Sequence, residues 1–213
     1  MKPFTIETFN AGDVAPPAPA TLVYVTERPS RAILSEALPD HLWWIPPRGS
    51  DAYGWNPRAL DRHGSAIQQA WESGRDHGHP GTTPDGFVES WWGEYVPDRR
   101  LIGFVGSHLV NNAWGPNKRG ERELRRLLWW QGWHAMRREA RRLRRAGYTV
   151  VRLGDFNRRS IHWPGITDRS IGQGYDRIVY PPSLELLEAW RGDPRGSDHK
   201  PLIGRFQFRG GAA

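Results

Sequence analysis

The stretch Tyr148-Thr149-Val150-Val151-Arg152-Leu153-Gly154-Asp155-Phe156-Asn157 decides how this chain is read. Its apolar, β-branched run suits a buried central strand, and it ends abruptly at Gly-Asp-Phe-Asn. Just upstream, Arg119 to Arg145 carries the clearest helical period in the sequence. Trp129, Trp133, Met136, Ala140 and Leu143 recur three and four apart and form one apolar stripe. Arg137, Arg138, Arg141, Arg144 and Arg145 crowd the opposite face, and Gly147 stands where a helix C-cap glycine belongs. A long amphipathic helix feeding straight into a buried strand is the signature of an α/β layer architecture.

Working outward, strands dominate both ends of the chain. FTIETFN (residues 4–10) alternates as a half-buried strand does, and TLVYVTE (21–27) is rich in β-branched and aromatic residues. Between them lies the proline-rich breaker GDVAPPAPA. Ser30 is placed to cap a short helix through Arg31-Ala32-Ile33-Leu34, which Pro39 would end. From Trp43 to Thr83 the sequence predicts one helix around Ser65 to Trp71 and otherwise long surface loop, including GRDHGHPGTTPDG. FVESWWGEYV and LIGFVGSHLV, joined by Pro97-Asp98-Arg99-Arg100, read as a hairpin. Further strands are predicted around Arg177 to Tyr180 and Leu202 to Phe208, and the terminal RGGAA as frayed. No repeat or linker divides the chain, so residues 1–213 are expected to form a single domain.

Composition narrows the chemistry. A chain of 213 residues with 38% hydrophobic and 25% charged residues can bury a sizeable core. No window is apolar enough to span a membrane, and MKPFTIETFN lacks the apolar core of a secretory signal, so a cytoplasmic location is expected. Compact size and arginine and tryptophan richness suit a phage or bacterial genome of high GC content, and a phage-encoded protein would act in the host cytoplasm. The absence of cysteine removes disulfides, thiolate nucleophiles and Cys-held zinc. Any metal must then sit on carboxylate, amide or imidazole groups, which favours a hard ion such as Mg²⁺ or Mn²⁺. A net charge of +7 suits a polyanionic partner.

Polar residues gather at strand ends. Asp155 and Asn157, two apart, would share a face while Phe156 turns into the core. They make either one wall of a phosphate or metal site, or an Asx-turn that merely ends the strand. Near the C-terminus, Gly196-Ser197-Asp198-His199-Lys200-Pro201 pairs an acid with a base that titrates near neutrality. Asn10, Glu27, His108 and Asp176 also sit at strand ends, where α/β proteins assemble their sites. A turn or cap is the bland reading of each taken singly.

In this order (TFN, an acid after the second strand, SHL, GDFN, Asp-Arg-Ile and SDHKP) the motifs resemble those of the endonuclease/exonuclease/phosphatase superfamily, whose fold is like that of deoxyribonuclease I. The resemblance runs from Asn10 to His199. It implies a four-layer α/β sandwich, two mixed β-sheets packed face to face and flanked by helices. It also implies a divalent-metal-dependent phosphodiesterase, with Glu27 as the metal-binding glutamate, Asn10 helping to hold the metal and its water, and Asp198 supporting the metal side. Asp155 and Asn157 would contact the scissile phosphate and position the attacking water, and His108 would hydrogen-bond the phosphate oxygens. His199 would be the general base, oriented by Asp176. With an ordinary pKa near 6.5 such a base is partly deprotonated at working pH.

The pattern departs from the family in having Thr26-Glu27 where Gln-Glu is usual, and Glu7 and Glu36 are rival acids. Residues 43–83 match no motif of the family. The expected partner is DNA, with RNA or a small phosphorylated substrate (nucleotide, phosphoinositide, phospholipid headgroup) as alternatives, and the chain is expected to act as a monomer. A non-catalytic nucleic-acid-binding module is a third reading. The arginine face of the helix reads as solvated or as a DNA contact, and Asp76, His77 and His79 as loop or as a metal site.

Overall fold

The computed structural model describes residues 1–213 except 12–15, 17–19, 29, 48–50, 72–85, 111–112, 114–118, 159–166, 173–174, 195 and 211–213. The proline-rich breaker, the Asp76-His77-His79 group and the last three residues therefore fall wholly or mostly outside the described residues. Among the described residues, twelve strands form two six-stranded sheets. The first contains β1 (Phe4–Asn10), β2 (Leu22–Thr26), β3 (Leu42–Trp44), β4 (Ala52–Trp55), β11 (Leu184–Arg191) and β12 (Leu202–Phe208), in the order β11-β12-β1-β2-β4-β3. The second contains β5 (Leu60–Trp71), β6 (Gly86–Tyr95), β7 (Arg100–Gly106), β8 (Thr149–Asp155), β9 (Arg169–Ile171) and β10 (Asp176–Tyr180), in the order β5-β6-β7-β8-β10-β9. Each sheet is mixed, with one parallel pair, β1/β2 or β7/β8.

The sheets pack face to face over a core that includes Ile6, Leu22, Tyr24, Tyr53, Trp91 and Phe104. On the outer face of the second sheet lies α2 (Arg119–Arg145), whose Trp129, Trp133, Met136, Ala140 and Leu143 are buried against Val105, Val150 and Phe156. On the outer face of the first sheet, Leu34 of α1 (Arg31–Ala37) packs with Phe9, Val23 and Val25. Two helices outside two sheets give the four layers expected. Ser30 caps α1 by accepting from the Ile33 amide at 3.4 Å, and Gly147 adopts φ 89° just beyond α2. No helix among the described residues is long and apolar enough to cross a membrane.

Two expectations fail between residues 43 and 83. Ser65 to Trp71 is not a helix but the second half of β5, paired antiparallel with β6 along its length. Its Ala and Gln residues favour a helix only weakly, and cross-strand pairing overrides so small a preference. Register shifts at Arg62/Gly64 and Gln69/Trp71 also break the period-two pattern that would have revealed a strand. The stretch before it is not all loop, because β3 and β4 extend the first sheet beyond β2.

Both parallel pairs end on the same side, and the approach there is close. Gly154 has φ 131°, and a Cβ on it would lie 2.3 Å from the Ser107 carbonyl oxygen. A Cβ on Gly106 would lie 2.3 Å from Cζ of Tyr24. Only glycine lets β7 and β8 come this near to each other and to the facing sheet.

Candidate active site

The site is built where β1, β2, β7 and β8 end and where β10 and β12 begin. The β8 strand delivers Asp155, which is 2% exposed. Its Oδ1 accepts the Asn157 amide at 2.8 Å, an Asx-turn made possible by φ 48° at Asn157. The turn reading of GDFN therefore holds, and it leaves the second Asp155 oxygen out of the turn. The Asn157 side-chain amide donates to the Leu109 carbonyl at 2.7 Å, and the Leu109 amide donates to the Asp155 carbonyl at 2.9 Å. Those two bonds clamp the SHL segment to GDFN. Phe156 turns away as expected, stacking edge-on with Trp133 at 5.7 Å while its carbonyl accepts the Trp129 indole at 2.7 Å.

Three side chains surround the other Asp155 oxygen. Oδ2 lies 3.5 Å from Asn10 Nδ2, 3.7 Å from His108 Nε2 and 3.9 Å from His199 Nε2. These spacings are at or beyond the limit of direct hydrogen bonds and leave room between the groups. His108 reaches Glu27 with its other nitrogen, Nδ1 to Oε1 at 3.5 Å, and so spans the ends of both parallel pairs. His199 Nδ1 is 3.0 Å from Asp176 Oδ2, and Asp176 faces Asp155 across the β8/β10 ladder. Asp176 Oδ1 is buried with no hydrogen-bond partner among the described residues. Asp155, Asp176 and His199 each offer an atom within 4.8 Å of the others, a group able to hold a metal ion.

A scan against protein-family models found no match, and neither did a search of curated proteins. Solved structures gave a clear answer. An endonuclease/exonuclease/phosphatase from Bacteroides vulgatus superposes with a TM-score of 0.72 at 12% identity, covering 98% of this chain and 100% of that one. A family protein from Bacteroides thetaiotaomicron gives a TM-score of 0.71 at 11% identity, covering 98% of both chains. A mannosyl-6-phosphatase from the same organism gives 0.69 at 11%, covering 96% of this chain and 100% of that one. The chain has the endonuclease/exonuclease/phosphatase fold.

Within that fold, seven of the eight expected site residues meet: Asn10, Glu27, His108, Asp155, Asn157, Asp176 and His199. Asp198 is exposed and reaches the group through its charge on His199. Of the rival acids, Glu36 is exposed on α1, and Glu7 alternates to the opposite face of β1 from Asn10. Glu27 alone of the three meets His108. It stands at φ 50°, a strained backbone for glutamate that turns its side chain out of the strand.

Five residues went unread in the sequence. Ser197 donates to the Asn10 carbonyl at 2.7 Å and accepts the His199 amide at 3.0 Å, fixing the histidine loop to β1. Arg191 Nη1 lies 3.6 Å from Asp176 Oδ2 and donates to the Lys200 carbonyl at 2.7 Å. Ser197 stood inside the SDHKP motif; Arg191 had no motif to mark it. Beside the site, Tyr24 Oη lies 2.6 Å from Asp51 Oδ2 and 3.1 Å from Glu89 Oε2, with both carboxyls buried. One phenolic hydrogen serves only one of them, so the second contact calls for the proton of Glu89 itself. Burial indeed raises the Glu89 carboxyl well above its ordinary range, and the charge of Asp51 adds to the rise.

The same physics acts within the site. Burial raises the Asp155 carboxyl; the charge of His108 opposes the rise and that of Asp176 reinforces it. His199 is raised to about 9, first by its hydrogen bond to Asp176, against the opposing effect of burial, with the charges of Asp155 and Asp198 adding. The expectation of an ordinary imidazole therefore fails, because three carboxylates stabilise the imidazolium.

Proposed function

We propose that this chain is a Mg²⁺- or Mn²⁺-dependent nuclease that hydrolyses DNA phosphodiester bonds by attack of water. The observation that carries the reading is the convergence of Asp155, Asp176 and His199 with Asn10, Glu27 and His108 at the ends of two parallel strand pairs. The residues suit a hard divalent ion: all donors are carboxylate, amide or imidazole, and the Asp155 oxygen facing them is only loosely contacted. Glu27 and Asn10 would hold the ion, with Asp198 supporting it and Asp155 beside them. When bound, the ion supplies charge neutralisation at the phosphate and acidifies a water.

The remaining groups divide the work by their bonding. Because His199 Nδ1 is engaged by Asp176, its Nε2 is the atom free to take the proton of the attacking water. His108, poised between Glu27 and Asp155, donates to phosphate oxygens as negative charge builds. Asn157 spends one amide hydrogen on Leu109 and keeps the other for the phosphate. The +7 charge supports a polyanionic substrate.

Purified protein should nick supercoiled plasmid in Mg²⁺ or Mn²⁺ and stop in chelator. His199→Ala should abolish nicking yet still bind Mn²⁺ by paramagnetic resonance. Full activity in that variant would overturn the mechanism, and loss of Mn²⁺ binding would make His199 a ligand instead of the base. A second reading, a phosphatase on a small phosphorylated substrate, is favoured by the likeness to a mannosyl-6-phosphatase. A panel of plasmid, RNA, nucleotides and sugar phosphates separates the two, since strong inhibition by salt marks the polyanion.

A further inference from the structure

On the outer face of the second sheet, α2 and the lead-in to β9 flank an open cleft of about 150 Å³ lined by Arg137, Arg141, Arg144, Arg152 and Asp168. Four guanidinium groups face one carboxylate there. Asp168 Oδ2 is shared by Arg144 at 2.5 Å and Arg152 at 2.8 Å, so the single acid is already spent on two partners. Arg137 and Arg141 have no acidic partner among the described residues. Arg152 is a buried charge on the central strand β8, held over the Trp133 ring at 5.0 Å, and its Nε has no hydrogen-bond partner among the described residues. Its pKa is lowered to about 10, first by burial, with the charges of Arg144 and Arg137 adding to the effect that Asp168 opposes. A buried cation is costly unless compensated, and the compensation present here is incomplete.

We infer that this cleft is a phosphate-binding site separate from the catalytic one, taking a phosphate group either free or within a nucleic-acid backbone. Forked guanidinium donors match the oxygens of a tetrahedral phosphate, and an anion would satisfy Arg137 and Arg141 together while adding negative charge beside the buried Arg152. The site lies on the face of β8 opposite Asp155, so its occupant does not compete with substrate. Flanking Arg138 and Arg145 belong to the same helix but lie outside the cleft, and they supply the control.

The test is binding to the whole chain in chelator, which stops turnover. Inorganic phosphate is titrated by calorimetry and a labelled single-stranded 20-mer by anisotropy, both at constant ionic strength. The cleft variant Arg137→Gln/Arg141→Gln is compared with Arg138→Gln/Arg145→Gln, which removes the same charge. The cleft variant should weaken phosphate binding by about tenfold or more and the control by less than about twofold. Parallel loss of 20-mer binding assigns the site to a nucleic-acid backbone, whereas loss of phosphate binding alone assigns it to free phosphate. Equal effects of the two variants, or none, would overturn the cleft and leave a solvated arginine face. Hydrolysis of a small phosphodiester should be unchanged in both variants, so failure of the proposed activity and failure of the cleft are read on separate axes.

Discussion

The two sheets are wired alike and used differently. In each, a hairpin leads to a parallel pair, followed by two further strands: β11-β12-β1-β2-β4-β3 matches β5-β6-β7-β8-β10-β9 position for position. The matched ends carry matched polar groups: Asn10 closing β1 and His108 after β7, Glu27 after β2 and Asp155 closing β8. A non-glycine residue in left-handed conformation follows each of β2 and β8, Glu27 and Asn157. The acid opening the next strand differs in its fate. Asp176, opening β10, meets His199 and holds its imidazole above the ordinary range. Asp51, just before β4, meets the Tyr24 phenol and the buried Glu89, where a second negative charge is resisted. Topology places an acid at both points; the partner decides what its charge acts on.

That contrast breaks if the two acids prove equivalent. Asp176→Asn should cut the rate of phosphodiester hydrolysis by about 10²–10⁴-fold, the range over which an oriented general base contributes. Asp51→Asn should change it less than about fivefold, since Asp51 accepts from the Tyr24 phenol and not from His199; a comparable loss in both variants would dissolve the distinction. The pH profile sharpens the point. With His199 raised to about 9 and needed neutral, the rate should climb with pH through the neutral range. Asp176→Asn removes the chief cause of the rise, so the ascending limb should move to lower pH by about one unit or more. A limb unmoved by the substitution would show that Asp176 does not set the titration.

What was legible in the sequence follows the same division. Strand ends carrying Asp155, Asp176 and His199 were readable because their local pattern, an apolar run stopped by polar residues, survives without knowledge of the fold. Leu184–Arg191 and Leu60–Trp71 were not read as strands, because both carry helix-tolerant residues and register shifts, at Leu186/Glu188 and at Arg62/Gly64, so their strand character comes from the neighbour alone. Asp51 and Glu89 gained meaning only when β4 was seen beside β2 and the second sheet beneath them. An isolated Asp in a loop-like stretch offers no such signal.

The next largest effect should fall on stability. Gly106 lets Tyr24 of the first sheet lie against β7, and a Cβ there would meet the phenol ring at 2.3 Å. Gly106→Ala should cost about 3 kcal/mol by chemical denaturation, the upper range for overpacking a core. Because the two sheets carry the two halves of the site, activity should fall even at temperatures where the variant remains folded. A cost under about 1 kcal/mol would mean that the sheets part easily at this point.

The smallest effect tests whether charge on the silent side is suppressed. A carboxyl whose folded pKa is raised contributes stability that is fully present below its unfolded pKa and is lost as pH rises through the folded value. Glu89 is raised by burial first and by Asp51 second, so its window opens near the ordinary glutamate range and extends upward. Glu89→Gln keeps the shape, can donate a hydrogen bond to Tyr24 or Asp51, and cannot ionise. Its melting temperature should exceed that of the parent by a few degrees at pH 8 and match it at pH 4. An equal change at both pH values would mean that Glu89 does not titrate in that window. A loss confined to pH 8 would mean that the ionised carboxylate is wanted there, making the Tyr24 side of the molecule as charged as the His199 side.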